Sequence, residues 1–183
     1  MKSRQQQTGA SLLEVLIATL ILSFGLLSMG IIMASAIQMP KLSAMKATAT
    51  HLATSHIDRI RANAAGFAAG QYDQALSYDG TSSVPSLSDC SYPNCTPDTL
   101  ALMDKAFTLR ALRQQLPSGG MLLQRDTTTG STTSVDGNLW IIWQEPGSFN
   151  GLNNTATSDN CPAEVSSVFT DPVPRCIYIR FRI

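Results

Sequence analysis

From Val15 to Pro40 the chain runs for 26 residues without a charged side chain, and one carboxylate, Glu14, stands at the entrance to that run. A helix rises about 1.5 Å per residue, so the segment reaches about 39 Å and exceeds the ~30 Å hydrocarbon core of a bilayer. It is therefore expected to live in a membrane. An ionised group costs about 2.5–3.5 kcal/mol at mid-bilayer and less near the interface. Glu14 thus either has a task or is a flanking residue that snorkels to the headgroups. Ala34-Ser35-Ala36 has the small residues of a secretory cleavage site, but the apolar run before it exceeds the 7–15 residues usual for a signal peptide. Lys2 and Arg4 on one side face Lys41 and Lys46 on the other, so charge asymmetry does not fix the orientation.

Ahead of the apolar run lies a polar leader, Met1 to Gly9, with two bases and no acid, continuing as Thr8-Gly9-Ala10-Ser11-Leu12-Leu13-Glu14. This arrangement resembles the class III leader of type IV prepilins. The resemblance implies a cut by prepilin peptidase between Gly9 and Ala10, on the cytoplasmic side of the inner membrane, with methylation of the new amine. Many members have Phe after the cut, where this chain has Ala10. The resemblance also gives Glu14 an assembly role, with the free amine of a neighbouring subunit neutralising it as the helices stack.

The 183 residues suit one compact domain plus the helix. The expected organisation is a leader at 1–9, an apolar assembly helix at 10–40, and a periplasmic head at 41–183 that includes the rest of the helix. Thirteen bases balance thirteen acids, so no electrostatic footprint for nucleic acid is evident.

Beyond Pro40 the helical pattern becomes one-sided. Leu42, Met45, Ala49, Leu52, Ala53, Ile57, Ile60 and Ala64 share a face, while Thr48, His51, Thr54, Ser55, Asp58 and Arg61 lie mostly opposite. Pro40 is expected to kink or break the helix. His56 falls on the apolar face, and neither histidine has metal-ligand spacing to a partner. Gly66 and Gly70 are candidate punctuation after Asn63. The segment Ile57-Asp58-Arg59-Ile60-Arg61-Ala62-Asn63, with Tyr72 close behind, resembles the corresponding stretch of PilV-type minor pilins, the type IV pilus modification proteins. Pro usually follows the Asn in that family, and Ala64 follows it here.

Residues 71–97 are rich in turn formers. Thr96-Pro97-Asp98 then starts a helix, with Thr as N-cap and Pro at the first helical position. Leu100, Met103, Phe107 and Ala111 form its expected core stripe, and Leu116-Pro117-Ser118-Gly119-Gly120 stops it. Met121–Arg125 is expected to be a strand, followed by a Thr/Ser-rich turn with Asp136-Gly137 as its signal. Leu139–Trp143 is the next strand, expected to be central, with both tryptophans on one face and Ile142 on the other. In the last strand Ile177, Ile179, Phe181 and Ile183 point inward and Tyr178, Arg180 and Arg182 outward. The fold class is α+β: a long N-terminal helix on an antiparallel sheet of three or four strands, the pilin fold by resemblance.

Cys90, Cys95, Cys161 and Cys176 read as two disulfides in an exported chain. Spacing alone leaves three pairings open, and the resemblance to pilins implies Cys161 with Cys176. Paired-knuckle spacing for zinc is missing. Asn150, Asn153, Asn154, Asp159 and Asn160 form either a calcium loop or a plain solvated one.

No nucleophile-base pair, carboxylate dyad or phosphate loop is present, so neither an enzyme nor a cofactor is expected. The resemblance implies a minor pilin that meets prepilin peptidase and other major and minor pilins, and moves from the inner membrane to an extracellular pilus. Three other readings stay open: a minor pseudopilin of a type II secretion system, a bitopic periplasmic scaffold, and an adhesive function added to the first.

Overall fold

The computed structural model describes residues 12–81, 83, 90, 91, 93–126, 135–145, 159, 161–169 and 173–183. The architecture is α+β. A long helix, α1 (Leu12–Ala62), is followed by α2 (Ala64–Ala68), α3 (Pro97–Gln115), β1 (Gly120–Arg125), β2 (Asp136–Trp143), α4 (Ala163–Ser166) and β3 (Arg175–Arg182). The strands form one antiparallel sheet in the order β1-β2-β3. The chain divides into two compact units, Met1–Lys41 and Leu42–Ile183.

Pro40 lies inside α1, and the helix does not end there. In the second unit, Ala49, Leu52, Ala53, Ile57 and Ile60 are buried as the periodicity requires, and His56 is buried with them. Ala64 departs from that face and is exposed, because α1 has already ended. Asn63 is not a simple stop: its Oδ1 accepts from the Gly66 N–H and caps α2. The first position of α2 is therefore Ala64, a place well suited to proline.

β2 is central, and its alternation sorts the core into two layers. Leu139, Ile141 and Trp143 face the layer that holds α1, together with Met121, Leu123 and Phe181. Ile142 and Trp140 face the other layer, with Leu122, Cys176, Tyr78 and Val165. The two tryptophans thus lie on opposite faces and Trp140 shares its face with Ile142, because residues three apart in a strand point opposite ways. Residues 74–77 run along the outer edge of β1: Gln74 and Leu123 exchange two backbone hydrogen bonds of 3.0 Å, and the Ser77 N–H donates to the Met121 carbonyl.

Asp136 and Gly137 begin β2 instead of forming a turn. At Gly137 a Cβ would stand 2.5 Å from the Phe181 ring and 3.0 Å from the Phe67 ring. The glycine makes room for that aromatic pair, whose centroids are 5.6 Å apart. Residues 127–134, the remainder of the expected turn, lie outside the described residues.

α3 starts as its sequence requires, with Thr96 as N-cap in a reciprocal capping arrangement with Thr99 and Pro97 at the first turn. Its buried face differs from the expected stripe. Ala101, Asp104, Thr108 and Leu112 are buried, whereas Phe107 is 47% exposed and Leu100, Met103 and Ala111 are half-buried. Two polar residues occupy the core face because buried partners await them on α1 and at Tyr72.

Both disulfides form, Cys90–Cys95 and Cys161–Cys176. At the end of α3 the chain turns sharply, and a Cβ on Gly119 would stand 2.4 Å from the Leu112 carbonyl oxygen. Gly119→Ala is predicted to destabilise the detergent-solubilised protein by about 1–3 kcal/mol through forced backbone displacement. A urea midpoint equal to that of the parent would contradict this packing.

Candidate assembly site

The first candidate site is the apolar part of α1. Every large apolar side chain from Leu12 to Met39, Leu20, Phe24, Leu27 and Ile32 among them, has more than half its surface in solvent. Three of its hydroxyls are closed within the helix: Thr19 donates to the Leu16 carbonyl at 3.0 Å, Ser23 to Leu20 at 2.8 Å and Ser28 to Gly25 at 2.8 Å. The helix surface therefore offers hydrocarbon with few polar groups seeking partners, which is what a lipid core or a packed helix bundle accepts. By length and composition this helix is able to cross a membrane.

Glu14 sits in the first turn of α1 and is exposed. A carboxylate there is favoured by the helix dipole. Gly9 and Ala10, the expected processing residues, lie outside the described residues.

The second candidate is a buried polar cluster in the 42–183 unit, where the residues singled out around Asn63 converge. Tyr72 donates its hydroxyl to Asp104 Oδ2 at 2.6 Å. Asn63 Nδ2 donates to the Tyr72 oxygen at 3.2 Å and to the Pro97 carbonyl at 2.7 Å. With its Oδ1 capping α2, Asn63 joins the end of α1, the start of α3 and Tyr72. Arg59 approaches Asp104 at 3.7 Å and lies over the Phe107 ring at 3.9 Å. Alongside, Thr108 Oγ1 and His56 Nδ1 are hydrogen-bonded at 2.8 Å.

The electrostatics follow from burial. His56 is held far below its usual pKa, at about 3, first by desolvation and then by the cations Arg59 and Lys105. Burial, then the bond to Asp104, raises the Tyr72 phenol. The hydrogen bonds of Asn63, Tyr72, Asp104 and Thr108 run between elements and so fasten α3 to α1, while the Nε2 of His56 is buried without a hydrogen-bond partner. Asp104 and Thr108 were hidden from the sequence reading because polar residues vote against a core face. The available signal was their spacing, four apart on one side of α3, opposite Arg59, Asn63 and Tyr72.

Of the suggested calcium-loop residues only Asp159 is described, and it is paired with Arg175 at 2.9 Å; Asn150, Asn153, Asn154 and Asn160 lie outside the described residues. Among the described residues no group of three metal-ligating side chains gathers. No family model, curated protein or solved structure matches this chain.

The buried neutral histidine has a signed consequence. Below the unfolded pKa of 6.5 the unfolded chain gains a proton that folded His56 refuses until about 3. Its contribution is thus fully present above pH 6.5 and is lost progressively as pH falls towards 3, at up to about 1.4 kcal/mol per pH unit. Asp79, lowered to about 2 mainly by its hydrogen bond with Arg113, adds a further loss only at the acid end. Urea unfolding between pH 7 and 4 is predicted to show the slope, flattened in His56→Gln. Equal slopes in both proteins would contradict it.

Proposed function

We propose that this chain is a minor pilin of the PilV type, processed after Gly9 and drawn from the inner membrane into a type IV pilus at or near the tip, where it helps prime assembly. The observation that carries the reading is the coincidence of Glu14 with the start of an exposed, charge-free helix, immediately after a basic leader ending in glycine. A long helix with an α+β unit of three antiparallel strands and a disulfide-closed segment, Cys161–Cys176, is compatible with the pilin layout.

The mechanism is one of charge and burial. A membrane subunit carries the carboxylate of Glu14 near the interface with no fixed counter-charge. In a staggered bundle the free amine at Ala10 of the next subunit sits beside it. Pairing two desolvated charges favours the assembled register and disfavours others, a use of buried ions for specificity more than for stability. The apolar surface meanwhile exchanges lipid for neighbouring helices, where close packing decides the contact. Disulfides on this reading form in the periplasm. Pilin partners, prepilin peptidase, a pilus location and any adhesive role all belong to this proposal.

Glu14→Ala is predicted to be cleaved normally yet recovered in sheared fibres at a level reduced about tenfold, read by quantitative immunoblot of fibre and membrane fractions. Gly9→Ser is predicted to leave uncut precursor in the membrane. Parental incorporation of Glu14→Ala would refute the pairing mechanism. A fibre fraction that depends on a type II secretion apparatus and not on the pilus machinery would favour a minor pseudopilin. Absence from every fibre would favour the bitopic scaffold.

A further inference from the structure

The two edges of the sheet differ. Beyond β1 the chain covers itself, since Gln74 and Leu123 exchange backbone hydrogen bonds of 3.0 Å and Ser77 donates to Met121. Beyond β3 no further strand lies among the described residues. The register tells which backbone groups face that second edge. Leu123 directs its N–H and C=O to Gln74, so its neighbours Leu122 and Gln124 bond to Trp140 and Asn138 between β1 and β2. Leu139 and Ile141 then bond to Ile179 and Ile177 on β3. The Ile183 N–H keeps the same parity by donating to the Val135 carbonyl at 2.8 Å. The N–H and C=O groups of Tyr178, Arg180 and Arg182 therefore point away from β2, along the outer edge.

The side chains along that edge are of two kinds. On the α1 side Ile177, Ile179 and Ile183 are half-buried at the margin of the core. On the other side Arg180 and Arg182 keep 59% and 76% of their side chains exposed. Arg180 lies 3.0 Å from Asp126, whereas Arg182 approaches Asp136 at 3.9 Å. β3 contains neither proline nor glycine, and its register against β2 is continuous from Arg175 to Arg182. Nothing in its backbone bars a further strand.

We infer that the outer edge of β3 is a strand-addition site for an extended, acid-bearing segment of another protein. The incoming strand runs antiparallel to β3. Its backbone pairs with Tyr178, Arg180 and Arg182, one of its faces lays small apolar side chains beside the isoleucines, and the other sets carboxylates opposite the two arginines. Charge selects this occupant. Arginines on an edge strand guard it against pairing with its own kind, and an acid-bearing strand turns the same charges into attraction. A second copy of the chain meets the guard: in-register parallel pairing, or antiparallel pairing about Arg180 or Phe181, brings arginine opposite arginine, which is destabilising. Antiparallel pairing about Ile179 sets the two Arg180 side chains diagonally across one face. The edge belongs to the 42–183 unit, so the inference stands independently of whether the chain enters a fibre.

The test uses the full chain in detergent and a fluorescent, end-blocked nonapeptide that alternates valine with glutamate, beside its lysine counterpart. Anisotropy is expected to show saturable binding of the glutamate peptide, weakening as salt rises, with slowed amide exchange in residues 175–183. Arg180→Gln with Arg182→Gln weakens it about tenfold at a parental melting temperature. In an antiparallel pair the glutamates stand opposite the residues whose backbone faces outward, so methylating the glutamate amides abolishes binding and methylating the valine amides leaves it. Four outcomes would overturn the proposal: no binding up to millimolar peptide, equal binding of the lysine peptide, binding indifferent to methylation of the glutamate amides, or a disulfide dimer formed through Ile179→Cys in the absence of peptide, which would assign the edge to a second copy.

Discussion

An apolar helix surface tens of ångströms long cannot be left in water, and the biology proposed for this chain follows from how it is covered. Each exposed Leu, Ile, Phe or Met from Leu12 to Met39 represents about 1.5–3 kcal/mol recoverable on burial. Summed over the helix, that demand dwarfs the net stability of an ordinary domain. Lipid meets it without specificity. A bundle of like helices meets it with a register to choose, and a charge at one end is an economical way to choose it. On the proposed reading Glu14 makes that choice; it stands in the first turn, ahead of a surface that carries no other ion until Lys41.

The 42–183 unit solves a different problem, fastening secondary structure to the continuing helix. The apolar contribution is ordinary: Ala49, Leu52, Ile57 and Ile60 pack with Met121, Leu139, Ile141 and Trp143. Specificity comes from the polar set of Asn63, Tyr72, Asp104 and Arg59, in which Asn63 uses its amide on three sides. Arg113 does similar work further along, pairing with Asp79 at 2.8 Å and donating to the Ser77 carbonyl at 2.7 Å. Residues 77–79 are thereby fixed with little hydrocarbon.

How legible this was from sequence depended on whether a signal was local. The one-sided pattern after Pro40, the Thr96-Pro97 helix start and the alternation of the final strand each arise within a few residues, and each matches the structure. The face of α3 did not, because Asp104 and Thr108 become core residues only when Tyr72 and His56 arrive from elsewhere in the chain. Trp140 and Trp143 were paired on one face although period two separates them. Asp136-Gly137 looked like a turn because its reason for glycine, the ring of Phe181, lies 44 residues downstream. Spacing alone left three disulfide pairings open, and the one implied by the pilin resemblance, Cys161 with Cys176, is the one that forms. Glu14 stands out without tertiary context, as a lone acid before a charge-free run, and its role belongs to the proposed function.

The most direct test of the account is the mass of the N-terminal peptide of the protein isolated from its native membranes and fibres. A chain that begins at Ala10, with a methyl group on its amine, is the expected result. A chain that retains Met1, or begins at Ile37 after Ala34-Ser35-Ala36, would contradict it.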